Sequence, residues 1–539
     1  MLLLRCLLGG SAAAFEIDRP ACVATATVPM IDGVKLATDC YLPSPEGSFP
    51  VVLMRMVYDK ANPLVEPIAK EFLTRGIAFV VQDTRGRFAS EGEDTVFGDD
   101  GWEPGRGDGA HTVEWLKGQP WCNGTVGSCG WSAVGITQML LAGATTSVAC
   151  QTIGVAASKM YGQMAYQGGV FRKALCETWL QGQGNAHYID IWKSHPCCDT
   201  FWQRLDGETR APHITAPATH MGGWWDILQE GAINGFITRQ ERGGPGARGN
   251  QKLVVGPWTH ARTKEAGEFV LPDNFDFDVA DYEKRFIDYW LKGERNGIMD
   301  EPVVHYYTIG DLEDPDAPGN EWRTADAWPP FPTDETPFYL AGEGLLTKEP
   351  PGHPTAKARF AYDPADPCPT RGGQNLAIPG GPFDQREVSS RPDVLKFSTA
   401  PLEAAVEITG NVRVKLYVSS DAPDTDFTAK LVDVYPDGRE VLMLDNILRV
   451  KFRNGFEKPD TLPPGKIGVL DIDLWHISLI VNAGHRIGLH VSSSNYPRFE
   501  KNPNTGDDLP TDDNLRVAHN VVHMGKECPS TLILPVRPA

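Results

Sequence analysis

The sequence predicts an α/β domain built on a parallel sheet, interrupted by a helical insertion and followed by an all-β domain. Three observations carry this. Short apolar runs alternate with helical segments up to residue 145 and again from 213 to 335. Between them, residues 146–212 are aromatic-rich and read as helical. After 335, segments alternate apolar and polar residues and are separated by Gly/Pro turns. Strands buried on both faces and separated by helices indicate a parallel sheet. Strict alternation indicates half-buried strands of a sandwich or jelly roll. At 539 residues the chain exceeds a single core and suggests roughly three or four domains.

The elements follow in order. "FPVVLMRMVY" is a continuous apolar strand, and "LVEPIAKEFLTRG" is a helix that ends at Gly76. "IAFVVQDTRG" is a second buried strand, and "GAHTVEWLKGQ" is the next helix. "TVGSCG" is a short strand that runs into the helix "SAVGITQMLLAGA". The insertion contains "YGQMAYQGGVFRKALCETWLQGQGNAHYIDIWKS", read as helical and placed as a cap. "HITAPATHMGGWWD" and "GNQKLVVGPWTH" restore the strand-then-loop rhythm. In the C-terminal part, Val412, Val414, Leu416 and Val418 share one strand face, and Ile487, Leu489 and Val491 share another. The resulting division is 15–145 plus 213–335, a cap at 146–212, and 336–539.

Composition excludes some classes. The formal net charge is −20, with no Lys/Arg run, which argues against a nucleic-acid or anionic-membrane partner. No stretch reaches the ~20 apolar residues of a membrane span. The eleven cysteines are scattered without paired metal-binding spacing, and nothing in the sequence implies a metal or an organic cofactor. Read as reduced and buried, they suit a cytoplasmic protein. The N-terminal "MLLLRCLLGGSAAAFEIDRP" leaves secretion as the alternative, because its apolar run and Ala12-Ala13-Ala14 resemble a degenerate signal peptide.

In an open α/β sheet, loops at the carboxyl ends of strands build the site. Three such loops carry Ser132, Asp226 and His260, in the chain order of α/β-hydrolases. His260 can take the proton of the Ser132 hydroxyl and return it to a leaving group. Asp226 would hold one imidazole nitrogen and stabilise the imidazolium. The N–H of Ala133 opens the following helix and points to an oxyanion. The elbow "SCGWSAVGIT" departs from Gly-x-Ser-x-Gly, because Val134 stands two residues after the serine and the glycine comes at Gly135. Each residue has an ordinary reading. Ser132 can be a helix N-cap, Asp226 can cap the helix beginning "ILQEGAINGF", and His260 can be a structural histidine. Cys129 is a rival nucleophile, but it falls where a buried strand still runs.

With these residues in hand, the chain resembles the cocaine-esterase-like CocE/NonD hydrolases, relatives of X-Pro dipeptidyl-peptidases. "VPMIDGVKLATDCYLP", "QDTRGRFASEGE", "DGAHTVEWLKGQPWCNGTVG", "GGWWDI" and "GPWTH" carry the likeness in the first part. "YDPADPCPTRGG", "SSDAPDTDFTAKLVDVYPDG" and "SSSNYPRFEKNPNTG" carry it in the second. The resemblance implies an α/β-hydrolase domain with a helical cap and a C-terminal jelly roll of the galactose-binding-like kind. That family's elbow is Gly-x-Ser-Tyr-x-Gly, so its late glycine falls on Gly135. Its nucleophile, acid and base fall on Ser132, Asp226 and His260. Its oxyanion tyrosine, from an Arg-x-Pro-Tyr-Asp-Lys loop, falls on Tyr58 of "RMVYDK". A core tyrosine is the ordinary reading of Tyr58.

The chain departs from the family at Ala133, where a Tyr is usual, at Val57, where a Pro is usual, and at Phe88, where a Gly is frequent. The implied activity is hydrolysis of carboxylic esters, with amides less favoured, through an acyl-enzyme. The substrate would be a small ester or peptide-like molecule, handled by a monomer or homodimer. Trp179, Trp192, Trp224 and Trp225 are candidates to line an apolar pocket. The alternative is an X-Pro dipeptidyl-peptidase or α-amino-acid ester hydrolase, which needs carboxylates in the cap for a substrate ammonium. Glu177, Asp190 and Asp199 are the available ones. A non-catalytic binding protein on a hydrolase scaffold is the reading from another class.

Overall fold

The computed structural model describes residues 23–102, 107–511 and 513–538. The stretch on which the signal-peptide reading rests, and the first residues of the 15–145 segment, lie outside the described residues. The first part is a ten-stranded sheet. A hairpin of β1 (Val23–Pro29) and β2 (Lys35–Tyr41) forms one edge. Then come β3 (Phe49–Met56), α1 (Val65–Leu73), β4 (Ala78–Asp83), α2 (Asp108–Lys117), β5 (Cys122–Trp131), α3 (Ala133–Ala144) and β6 (Gln151–Gly154). The spatial order is β1-β2-β4-β3-β5-β6 at this side of the sheet. Pairing from β4 through β6 is parallel. The apolar strands sit in the sheet centre for the expected reason. Every residue of β4 is buried, and Val51, Val52 and Leu53 of β3 are fully so.

The insertion leaves the sheet later than the sequence predicts. Gln151–Gly154 is a strand paired with β5, so the cap begins after Gly154 rather than at 146. Four buried residues without alternation carry no periodic signal. Within the cap, Tyr161–Ala165 is a wide helical turn, and a small hairpin of β7 (Tyr166–Gln167) and β8 (Val170–Phe171) stands where a continuous helix is expected. The helices proper are α4 (Lys173–Gly182), α5 (His187–Lys193) and the short α6 (Thr200–Gln203). Aromatic rings hold them together. Trp202 lies edge-on to Trp192 at 5.6 Å and to Tyr166 at 6.1 Å.

The chain re-enters the sheet with β9 (Ala218–Trp225), α7 (Gln229–Arg242) and β10 (Gln251–Thr259). A two-residue ribbon, β11 (Glu265–Ala266) with β12 (Phe269–Val270), precedes α8 (Val279–Lys292). The sheet closes with β13 (Val304–Thr308) and an antiparallel edge strand, β14 (Glu321–Ala325). The order β6-β9-β10-β13 is parallel throughout. The carboxyl ends of β3, β5, β9 and β10 therefore open on one side.

The remaining strands, from Asp334–Ala341 to Thr531–Val536, form an eleven-stranded β domain. Its strands pair antiparallel except where Leu345 meets Ser398, and an isolated bridge between Pro369 and Tyr496 is also parallel. The expected alternation holds. Val412, Val414, Leu416 and Val418 face inward together, as do Ile487, Leu489 and Val491. This domain packs against the first through specific contacts. The Trp225 indole donates to the Met443 carbonyl at 3.2 Å, and Ile309 bridges to Leu479 beyond the end of β13. The cap docks on it as well. The Gly168 carbonyl accepts from the Arg449 N–H at 2.9 Å.

Gly168 sits at φ +52, and a Cβ there would fall on the Ile447 carbonyl oxygen. Gly182, at the end of α4, has nothing within 4 Å of the corresponding position. We expect Gly168→Ala to destabilise the protein by about 2–4 kcal/mol. Gly182→Ala should be neutral or stabilising by up to about 1 kcal/mol. Denaturant unfolding of the two variants measures the contrast.

Candidate active site

Ser132 stands at the turn between β5 and α3 with φ 56 and ψ −128. A non-glycine residue holds that conformation only where its surroundings enforce it. The surroundings are tight on three sides. A Cβ at Gly130 would fall on the Val134 carbonyl. One at Gly135 would lie 2.8 Å from both the Ala156 Cβ and the Gly154 carbonyl oxygen. One at Gly154 would fall on the Trp131 ring. The late glycine therefore marks where α3 touches β6, while Val134 is simply buried. The Ser132 side chain makes no capping hydrogen bond to α3, which removes the N-cap reading. Its Oγ lies 2.9 Å from His260 Nε2 instead.

His260 follows β10 directly, after a register irregularity between Gly256 and Thr259. Its Nδ1 lies 2.6 Å from Asp226 Oδ2. An ionised Asp226 can only accept, so Nδ1 carries the proton and Nε2 is left to accept from the serine hydroxyl. Asp226 follows β9 directly. Its second oxygen, Oδ1, accepts from the Leu228 N–H at 2.6 Å, which pins the carboxylate before α7. Asp226 does not cap α7, whose N-cap is Leu228 without a side-chain capping bond; its carboxylate holds the turn before the helix and the histidine together. Behind this loop, the Gln229 amide donates to the carbonyls of Trp224 and His476, so the β domain braces the turn. All three side chains are buried: Asp226 is 0% exposed, His260 2% and Ser132 8%. A serine, an imidazole and a carboxylate linked in this order can pass a proton from hydroxyl to imidazole while the resulting cation is held.

Cys129 lies inside β5, and burial drives its thiol pKa far up, with a smaller push from Glu283. A thiol held neutral is no rival nucleophile. Tyr58 follows β3 by two residues and is half-buried at the edge of the core. Burial raises its phenol pKa, opposed by hydrogen bonds with Trp179 and Ser132. It thus sits beside the serine as a neutral phenol. Ala133 is the first residue of α3, where N–H groups have no intrahelical acceptor.

The tryptophans divide. Trp179 of α4 reaches Tyr58, its Nε1 donating to the phenol oxygen at 3.1 Å. Trp192, Trp224 and Trp225 are fully buried core residues. The cap carboxylates already have other surroundings. Glu177 is held by Lys193 at 2.7 Å and Lys173 at 3.0 Å. Asp199 caps α6 and pairs with His195, and Asp190 is exposed. Phe88 has φ +46 and is exposed, a conformation that suits glycine. Among the described residues, no group of three or more His, Cys, Asp or Glu side chains is arranged to hold a metal ion. None of their helices is long and apolar enough to cross a membrane.

One partner of Trp131, the residue before the serine, escaped sequence reasoning. Glu283 of α8 accepts from the Trp131 indole at 3.1 Å. The guanidinium of Arg262, two residues past His260, lies over the Trp131 and Trp258 rings. Burial lifts the Glu283 carboxyl to about 7, moderated by the Trp131 hydrogen bond and by Arg262. A carboxyl raised in this way favours folding below its unfolded value, and the contribution is lost as pH rises through about 7. Glu283→Gln keeps the acceptor for Trp131 and removes the titration. It should gain about 2 kcal/mol on the wild type between acid and mildly alkaline pH. Thermal unfolding of both proteins across a pH series tests this, and a constant difference would contradict it.

Known proteins resemble the chain in the same sense as its geometry. Residues 32–188 and 177–262 match the X-Pro dipeptidyl-peptidase (S15) family. Residues 296–533 match the X-Pro dipeptidyl-peptidase C-terminal non-catalytic domain. A cocaine esterase from Rhodococcus sp. (strain MB1 Bresler) is 33% identical, covering 94% of this chain and 97% of its own. Two solved structures share the fold. One is an aminopeptidase from a marine sediment Thaumarchaeota archaeon, with a TM-score of 0.81 at 23% identity. The other is an α-amino acid ester hydrolase, with a TM-score of 0.80 at 24% identity. Each alignment covers 98% of this chain and 99% of the other. With that near full-length likeness to cocaine esterase, the chain belongs to the CocE/NonD family of serine hydrolases.

Proposed function

We propose that this serine hydrolase cleaves carboxylic esters through an acyl-enzyme on Ser132, with His260 as base and acid and Asp226 as its partner. The observation that carries the reading is the continuous hydrogen-bonded line from Ser132 Oγ through the His260 ring to Asp226, at the ends of three parallel strands. His260 Nε2 takes the hydroxyl proton as Oγ attacks the carbonyl carbon. The imidazolium is stabilised by Asp226, whose position is held by the Leu228 N–H. Negative charge grows on the carbonyl oxygen, where Tyr58 O–H and Ala133 N–H donate. The leaving alcohol takes the proton from His260. Water then repeats the sequence, with His260 again as base, and the acid departs. The chain itself supplies nucleophile, base and oxyanion donors.

Ester preference over X-Pro peptides is supported by the 33% identical esterase and by the cap carboxylates. Of the cap carboxylates singled out by sequence, Glu177 is already neutralised by two lysines, Asp199 pairs with His195 and Asp190 is exposed, so none of the three is free and buried to hold a substrate ammonium. The nine free cysteines among the described residues support a reducing compartment, and with it a cytoplasmic location.

Steady-state kinetics on p-nitrophenyl butyrate and Ala-Pro-p-nitroanilide test the reading. We expect turnover of the ester and little release from the dipeptide. Dipeptide release without ester turnover would reverse the preference. Ser132→Ala should lower kcat by roughly 10⁴-fold or more. Tyr58→Phe, which loses one oxyanion donor, should lower it by about 100-fold.

A further inference from the structure

The hydrogen bond between cap and oxyanion loop is directional. The Trp179 indole has only a donor, so in its contact with Tyr58 the phenol oxygen must accept. Accepting there occupies a lone pair and leaves the phenol proton free to turn elsewhere. The phenol lies beside Ser132, so its free proton can serve an oxyanion formed at that serine. A hydroxyl that accepts one hydrogen bond is polarised and donates a stronger one.

The indole is itself held. Its ring stacks on Phe97 with centroids 5.8 Å apart and planes 6° from parallel. Phe97 and its neighbour Val96 have left-handed φ of 71° and 46°, a conformation that costs energy unless the surroundings impose it. Asp94 imposes part of it, accepting from the Val96 N–H at 2.9 Å and from the Asn185 amide at 2.6 Å. Arg87 ties this loop to both sides of the contact. Its guanidinium meets Asp94 at 3.3 Å and donates to the Gln183 carbonyl at 2.6 Å, just past α4. It also donates to the carbonyl of Val57, the residue before Tyr58, at 3.2 Å. One arginine therefore fixes the oxyanion loop relative to the helix that carries Trp179. It supplies a restraint that a proline at position 57 would otherwise give from within the chain.

We propose that Trp179 is a positioning residue for the oxyanion hole. Its N–H orients and polarises the Tyr58 hydroxyl, and Arg87 holds the cap at the distance this requires. The cap is thereby part of the catalytic apparatus as well as a cover over it. The proposal rests on Tyr58 acting as the oxyanion donor.

A double-mutant cycle on p-nitrophenyl butyrate hydrolysis tests it. Trp179→Phe keeps an aromatic ring for the Phe97 stack and removes the N–H. We expect a roughly three- to tenfold lower kcat with KM changed less than twofold, the size of one neutral hydrogen bond. In a Tyr58→Phe background the same substitution should change kcat less than twofold, because no hydroxyl remains to orient. Thermal unfolding of each variant identifies any loss of folded enzyme, and kcat is taken per folded active site. An equal drop in both backgrounds would overturn the proposal and make Trp179 a pocket wall. An unchanged kcat in Trp179→Phe alone would overturn it too. If Tyr58→Phe itself retains wild-type kcat, the oxyanion assignment fails first and the role of Trp179 falls with it.

Discussion

The turn at Ser132 is the constraint on which the site depends. Strand β5 must reverse into α3 while α3 lies against β6, and no room is left for side chains at Gly130, Gly135 or Gly154. That crowding forces Ser132 to a positive φ and lifts its hydroxyl out of the helix it begins. A relaxed turn would let the serine cap α3, as serine ordinarily does. Close packing of apolar and glycine surfaces thus decides the chemistry available to one hydroxyl. The strain is local, and the buried α3, closed in from Ala133 to Gly143, is large enough to bear it.

Everything else in the site is placed relative to that turn by the parallel sheet. Strands β3, β5, β9 and β10 end at one level, so four short loops deliver Tyr58, Ser132, Asp226 and His260 to one place. The loops are stiffened from outside. The β domain grips Gln229 behind Asp226, and α8 supplies Glu283 beneath Trp131. The cap leans on Tyr58 through Trp179. Each part of the chain therefore touches the catalytic sheet where it steadies a functional loop.

How much of this the sequence reveals depends on the range of the interaction. Long apolar strands, alternating β-domain strands and the Ser, Asp, His order are patterns of near neighbours, and they are readable. The four residues of β6 have no period to read, so the sequence pattern starts the cap at 146 while the chain leaves the sheet only after Gly154. The double glycine at Gly168–Gly169 signals a turn inside what otherwise reads as a helix. The Trp179–Tyr58 bond spans 121 positions and the Trp131–Glu283 bond 152, and no local pattern predicts either. The departures from the family pattern find physical expression. Phe88 takes a glycine-like φ on the surface, and the Val57 carbonyl is held by Arg87.

The central claim is that Ser132, and no other residue, is the nucleophile. The most direct test is to treat the protein with a fluorophosphonate, digest it and map the adduct by mass spectrometry. The account predicts one phosphonyl group per chain, on Ser132, and none on Ser132→Ala. No adduct on the wild type, or an adduct on another residue that survives Ser132→Ala, would contradict it.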